Sequence, residues 1–158
     1  MNNINLNKIL NREIIKKDIL AFLNKFEENK YDIKHKRCIY LYGSSGSGKT
    51  YFIKNFLNEN DYDVIYYNSN NIRNKKSIKN LNNNNLSNNT ILNLLKGKKK
   101  KKIILMDEID SMNNGDKGGI NTLIKLIRPK KTLKQKKEFL TFIPIIAIGN
   151  NKIDKKIK

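Results

Sequence analysis

"CIYLYGSSGSGKTYFIKNFLNE", residues 38–59, is the stretch on which the reading of the fold turns. "CIYLY" (38–42) is a short apolar run that stops at Gly43 and reads as a buried strand. "TYFIKNFLNE" (50–59) reads as a helix. Between them, "GSSGSGKT" (43–50) fits G-x-x-x-x-G-K-[ST], with the strand before it and the amphipathic helix after it that the pattern requires. Each residue type has a physical reason. Gly43, Gly46 and Gly48 permit backbone angles barred to other residues and let phosphate oxygens approach the amides. With Ser44, Ser45 and Ser47 they present successive N–H groups, and the positive end of the following helix faces the same point. Lys49 places a charge on the β- and γ-phosphates, and Thr50 offers a hydroxyl to Mg²⁺, which prefers hard oxygens. A flexible Gly/Ser turn followed by a chance lysine is the bland alternative, and the strand–turn–helix context disfavours it.

A nucleotide site needs a second element opposite such a loop. "IILM" (103–106) is an apolar run, and Asp107, Glu108, Asp110 and Asp116 are the only acidic residues between Asp63 and Glu138. A buried strand over 103–106 carries Asp107 to the carboxyl edge of a parallel sheet, where ligands bind in open α/β folds. Asp107 would hold Mg²⁺, and Glu108 would orient and polarise the water that attacks the γ-phosphate. A pair of exposed acids at a strand end is the alternative. Asp110 reads first as a cap of the following turn and second as a catalytic group.

The rest of the chain supplies the architecture. In "REIIKKDILAFLNKFEE" (12–28), Ile15, Ile19, Phe22, Leu23 and Phe26 recur at helical spacing, so an amphipathic helix is predicted there. "YDVIYYN" (62–68) is rich in β-branched and aromatic residues and reads as a second strand. "LNNNNLSNN" is a polar low-complexity segment, "TILNLL" (90–95) a short helix candidate, and "KGKKKKK" (96–102) an exposed loop. "GINTLIKLI" (119–127) is a further helix, "PKKTLKQKKE" (129–138) a basic excursion, and "FIPIIAIG" (142–149) a fourth strand with Pro144 near its start. Alternating strands and helices are the rhythm of an open parallel sheet with covering helices. The expected division is an N-terminal helical segment over 1–36 and a nucleotide-binding core over 37–158.

Composition narrows the compartment and the partners. The 158 residues include 33 basic and 14 acidic ones, a formal net charge of +19. Part of the Lys, Asn and Ile excess fits an AT-rich coding genome, yet a field of this sign takes polyanions as natural partners. Cys38 is the single cysteine, so an intrachain disulfide is excluded and Cys38 reads as a small buried apolar residue. His35 has no Cys or His nearby to form a metal site. No apolar run reaches the roughly 18–20 residues needed to cross a bilayer. The N-terminus is too polar for a signal peptide. The expectation is a soluble, intracellular protein with no membrane partner.

Taken in order, these pieces resemble the AAA+ ATPases and, within them, the clamp-loader branch, the replication factor C family and above all its large subunits. "GSSGSGKT" resembles the Walker A element and "LMDEID" the Walker B element. "NSNNIRNKKSIK" (68–79) is similar to the family's Asn-Ala-Ser-Asp-x-Arg box, although Asn71 stands where the family has Asp. "DKGGINTLIKLI" looks like the segment that follows Walker B. "IPIIAIGNN" resembles the sensor 1 strand, with Asn150 at the position that contacts the γ-phosphate and attacking water, and Asn151 next in line.

The resemblance implies a three-layer P-loop sandwich whose open parallel sheet has the strand order 1-4-3-2. The family's fold continues with a fifth strand, a helical lid, an arginine finger and a sensor 2 arginine, none of which this chain contains, so the expectation is an incomplete AAA+ core with weak turnover without partner subunits. It implies ATP and Mg²⁺ as cofactors, and other clamp-loader-like subunits, a sliding clamp and primer-template DNA as partners. The place of action is the nucleus or a site of DNA replication if the source is eukaryotic or viral. By resemblance, Arg73, Lys75, Lys76 and Lys117 map to the positions that hold DNA. Two other readings stay open: a non-hydrolysing ATP-dependent DNA-binding or scaffold module, and another AAA+ remodeller or helicase loader. Glu108 and Asn150 favour the hydrolase, because a pure binder needs neither.

Overall fold

A computed structural model describes residues 11–32, 34–68, 100–114, 127 and 142–152. The chain divides into two compact units, residues 1–35 and 36–158. In the first, helix α1 (Arg12–Glu28) buries Ile19, Leu23 and Phe26, the 3–4 spacing that defined its apolar stripe. Phe22 and Phe26 set their rings 6.4 Å apart along that stripe. The helix ends at Asn29, whose backbone N–H and side-chain amide both donate to the Lys25 carbonyl.

Among the described residues, the second unit is built on a four-stranded, all-parallel sheet. Strand β1 (Cys38–Tyr42) leads into helix α2 (Lys49–Glu59), then β2 (Tyr62–Tyr67), β3 (Lys101–Met106) and β4 (Ile145–Gly149). The spatial order is β1-β4-β3-β2, as the resemblance implied. The two central strands carry the burial. Ile103, Ile104, Leu105, Ile145, Ile146 and Ile148 are each at most 1 % exposed, and such full burial stabilises by about 1.5–3 kcal/mol per side chain. This explains why their sequence reads as continuous rather than alternating apolar text. The outer strands differ: most residues of β1 and β2 are only half-buried, because each has one neighbour in the sheet. Cys38, read as buried, is half-buried and packs against the core formed by Ile104, Met106, Ile145 and Ala147. Desolvation pushes its thiol up to about 12.

Two expected boundaries move. Lys101 and Lys102, assigned to an exposed loop, belong to β3 and pair in register with Tyr62 and Asp63. The ladder accepts them because only the backbone is enclosed there; Lys101 is exposed and Lys102 half-buried. Lys100 beside them forms an ion pair with Asp61 at 3.5 Å. β4 begins at Ile145 rather than Phe142. Pro144 precedes it, and its carbonyl still accepts from Ile104 N–H at 3.0 Å. Nearby, the buried Arg37 sets its guanidinium 5.8 Å from the centre of the Phe142 ring. Helix α2 packs on β2, and it buries Phe52, Ile53, Phe56 and Leu57. The segments expected at 69–99, 115–126 and 128–141 lie outside the described residues.

Candidate nucleotide site

Register puts the site at one edge of the sheet. Tyr42 pairs with Gly149, and Met106 pairs with Ala147 and Tyr67. The residues that follow, Gly43, Asn150 and Asp107, therefore leave their strands at the same carboxyl edge. One further backbone bond, Asp107 N–H to the Tyr67 carbonyl at 2.8 Å, fixes the height of Asp107.

The loop between β1 and α2 turns through Gly46 (φ 75°) and Gly48 (φ 76°), both in the left-handed region. Gly48 is the residue before the first turn of α2, and its carbonyl accepts from Phe52 N–H at 2.9 Å. A Cβ on Gly46 would meet nothing within 4 Å, so the loop leaves open space on that side. Gly43 differs from the expectation. It does not lie in the left-handed region, and a Cβ there would make ordinary contact with Lys49 Cδ (3.5 Å) and Ser47 Oγ (3.6 Å). Lys49 Nζ donates to the Gly43 carbonyl (2.9 Å), the Ser44 carbonyl (2.8 Å) and Asn150 Oδ1 (3.1 Å). Its ammonium thus bridges the loop and the end of β4.

Asp107 is only 8 % exposed. Its Oδ2 accepts from Thr50 Oγ1 at 2.7 Å and from Tyr66 OH at 3.0 Å, and its Oδ1 from Glu108 N–H at 2.9 Å. Three donors meet the hydrogen-bonding needs of this buried carboxyl group. Desolvation, and then the Asp107 hydrogen bond and charge, push the Tyr66 phenol up to about 12. The Lys54 ammonium lies 3.5 Å from the centre of the Tyr66 ring, on the outer side of the strand end.

Glu108 is exposed and carries φ 54°, a conformation that costs a non-glycine residue about 1–3 kcal/mol. Its carbonyl accepts from Ser111 N–H (3.1 Å) and Ser111 Oγ (2.8 Å), which hold the turn in place. That turn throws the chain from β3 into a short 3-10 segment (Ile109–Asn114). Asp110, in this segment, accepts the backbone N–H groups of Asn150 and Asn151 and the Tyr40 hydroxyl.

A cleft of about 340 Å³ is lined by Ser45, Gly46, Lys49, Thr50, Asp107, Glu108 and Asn150 among others. The donor set fits a magnesium–triphosphate on physical grounds. The Lys49 ammonium, open loop space beside Gly46 and a helix start suit phosphate, while a hydroxyl and a carboxylate 2.7 Å apart are hard oxygen donors. Asn150 lies in the cleft with its side chain on Lys49, whereas Asn151 meets Tyr40 through its backbone. The structure thus brings together the loop residues, Asp107, Glu108 and Asn150. Arg73, Lys75, Lys76, Lys117 and Asp116 lie outside the described residues.

Sequence reasoning missed Tyr66, Tyr40, Tyr51 and Gly149. Tyr51 lines the cleft and is 72 % exposed. The available signal was an aromatic residue at or near a strand end or just after Thr50, but its partner across the sheet depends on register.

Comparison with known proteins agrees with this geometry. The model of the family described as "ATPase family associated with various cellular activities (AAA)" matches residues 39–158. The replication factor C large subunit of Thermoplasma acidophilum is 32% identical over 122 residues, covering 76% of this chain and 28% of that protein. That of Sulfurisphaera tokodaii is 26% identical over 154 residues, covering 97% and 31%. Replication factor C subunit 1 of Saccharomyces cerevisiae is 30% identical over 105 residues, covering 61% and 12%. The chain spans less than a third of the length of each of these relatives. A strand–glycine loop–helix unit, an acidic strand end facing it and a family match over most of the sequence lead to one conclusion: the chain belongs to the AAA family of ATPases.

Proposed function

We propose that this chain binds ATP with Mg²⁺ and hydrolyses it as an AAA+ module of clamp-loader, replication factor C-like type in DNA replication. The observation that carries the reading is the convergence of Lys49, Thr50, Asp107 and Asn150 on one cleft that Glu108 also lines. In this reading residues 37–158 are the ATPase module and residues 1–36 an N-terminal helical segment.

Each residue has a task. The amides of residues 43–50 and the Lys49 ammonium bind the phosphates, and Thr50 and Asp107 hold the metal. Mg²⁺ held there would supply positive charge to offset that of the phosphates. Glu108 orients the attacking water and accepts its proton, and Asn150 contacts the γ-phosphate and that water. Reaction is slow in isolation and rises when other clamp-loader-like subunits complete the site. Sliding clamp and primer-template DNA are the other partners, with Arg73, Lys75, Lys76 and Lys117 on the DNA backbone; resemblance and net positive charge support this part.

Radiolabelled ATP turnover, with and without primed DNA and candidate subunits, tests the reading. Glu108→Gln is expected to abolish turnover and keep ATP binding, and Lys49→Ala to abolish binding. Tight ATP binding without turnover under every condition would replace the hydrolase by the non-hydrolysing DNA-binding or scaffold module.

A further inference from the structure

Asp110 has no part in the reading above, yet it ties together three separate pieces of the site. Its Oδ2 accepts from the backbone N–H groups of both Asn150 and Asn151, the latter at 3.3 Å. Its Oδ1 lies 3.2 Å from the Tyr40 hydroxyl, which also lies 2.9 Å from the Asn151 carbonyl. The cluster closes over Gly149. A Cβ there would fall 2.0 Å from Tyr40 OH and 2.8 Å from Asp110 Oδ1, so the residue at 149 has to lack one. The face of β1, the turn after β3 and the exit of β4 thus meet at one carboxylate.

The residue held this way is Asn150. It follows the last residue of β4 and is exposed, so neither the sheet ladder nor packing fixes it. Its side chain nevertheless meets Lys49 Nζ at 3.1 Å. Charge-assisted bonds from N–H groups to a carboxylate are short and directional, and they set the peptide planes from which the Asn150 side chain projects. We propose that Asp110 is a positioning residue of the ATPase site, acting through the Asn150 backbone to aim the Asn150 side chain at the Lys49 side of the cleft. The proposal rests on the ATPase reading of that cleft.

The chemistry of the cluster separates shape from charge. In Asp110→Asn one oxygen still accepts the two amides, and the new NH₂ donates to the Tyr40 oxygen while Tyr40 OH turns to the Asn151 carbonyl. In Asp110→Ala both amides lose their acceptor. A misplacement of about 1 Å costs about a hundredfold in rate. Asp110→Ala should therefore lose about a hundredfold in kcat with ATP affinity within about twofold of wild type. Asp110→Asn should restore most of the rate. Residues acting as a unit are non-additive, so Asp110→Ala/Asn150→Ala should be no slower than Asn150→Ala alone.

The test measures turnover, ATP affinity and thermal melting for these variants of the full chain, with backbone amide exchange at Asn150 and Asn151. Independent, multiplying losses in the double variant, or equal losses of affinity and rate, would overturn the proposal. If wild type binds ATP but shows no turnover even with candidate subunits and primed DNA present, the ATPase reading fails and amide exchange decides separately on Asp110. Faster exchange at Asn150 and Asn151 in Asp110→Ala, normal in Asp110→Asn, together with loss of the ATP-induced shift of the Asn150 side-chain amide, supports the positioning role. Unchanged exchange refutes it.

Discussion

Thr50 Oγ1 donates to Asp107 Oδ2 at 2.7 Å, joining two residues 57 positions apart in the chain. The first residues of α2 and the end of β3 therefore present their oxygens as one preassembled pair. Because α2 packs on β2 and Asp107 directly follows β3, the pair sits on packed elements at the sheet edge.

That pairing predicts a metal-specific defect. Asp107→Asn should weaken ATP binding at least about tenfold when Mg²⁺ is present and leave the metal-free affinity nearly unchanged. Calorimetric titration with Mg²⁺ and with a chelator separates the two, and equal weakening in both would place Asp107 outside the metal site.

Tyr66 is expected to act on the metal through Asp107. Its hydroxyl shares Oδ2 with Thr50 and so orients the carboxylate. Tyr66→Phe should raise the Mg²⁺ concentration needed for half-maximal ATP binding by about tenfold. A thermal-shift titration of Mg²⁺ at fixed ATP reads this directly, and an unchanged midpoint would refute it.

Gly149 should tolerate no side chain. Gly149→Ala drives its Cβ into the Tyr40 hydroxyl at a buried position and should destabilise the fold by about 1–3 kcal/mol. Urea denaturation measures it. Adding Tyr40→Phe removes the closest clashing atom and should recover part of the loss, although Tyr40 Cζ and Asp110 Oδ1 remain at 2.8 Å.

The Tyr40 and Tyr66 phenols should titrate late. Desolvation, then the Asp110 charge and hydrogen bond, push Tyr40 up to about 12, and Tyr66 also reaches about 12. A raised folded-state value means the native protein holds its proton more tightly than the unfolded chain. The associated stability is complete below the ordinary tyrosine value of about 10 and is lost as pH rises towards 12. Desolvation raises Tyr67 as well, so a phenolate absorbance titration should show several late-titrating tyrosines, with one component removed by Tyr40→Phe and another by Tyr66→Phe. Loss of neither late component would contradict these environments.

How much was legible in advance differs by element. "CIYLY", "TYFIKNFLNE" and residues 12–28 identified their strand and helices to within one residue, because apolar period and a glycine stop are local properties. The β3 boundary was misplaced by two lysines, since charge was read as excluding a ladder that encloses only backbone at that end. Gly43 was assigned a conformational need that only Gly46 and Gly48 have.

By itself the sequence determined most of the composition of the site: a glycine-rich loop with Lys49 and Thr50 and an apolar strand ending in Asp107 and Glu108, while Asn150 after β4 came from the resemblance to the sensor 1 strand. Spacing along the chain carries that information because loop, helix start and strand end are contiguous pieces. Only the tertiary structure decided who meets whom. Tyr66 on Asp107, Tyr40 on Asp110 and Asp110 on the Asn150 amide depend on sheet register and strand order. A one-residue slip in register would turn every side chain of a strand to the opposite face and separate each of these pairs.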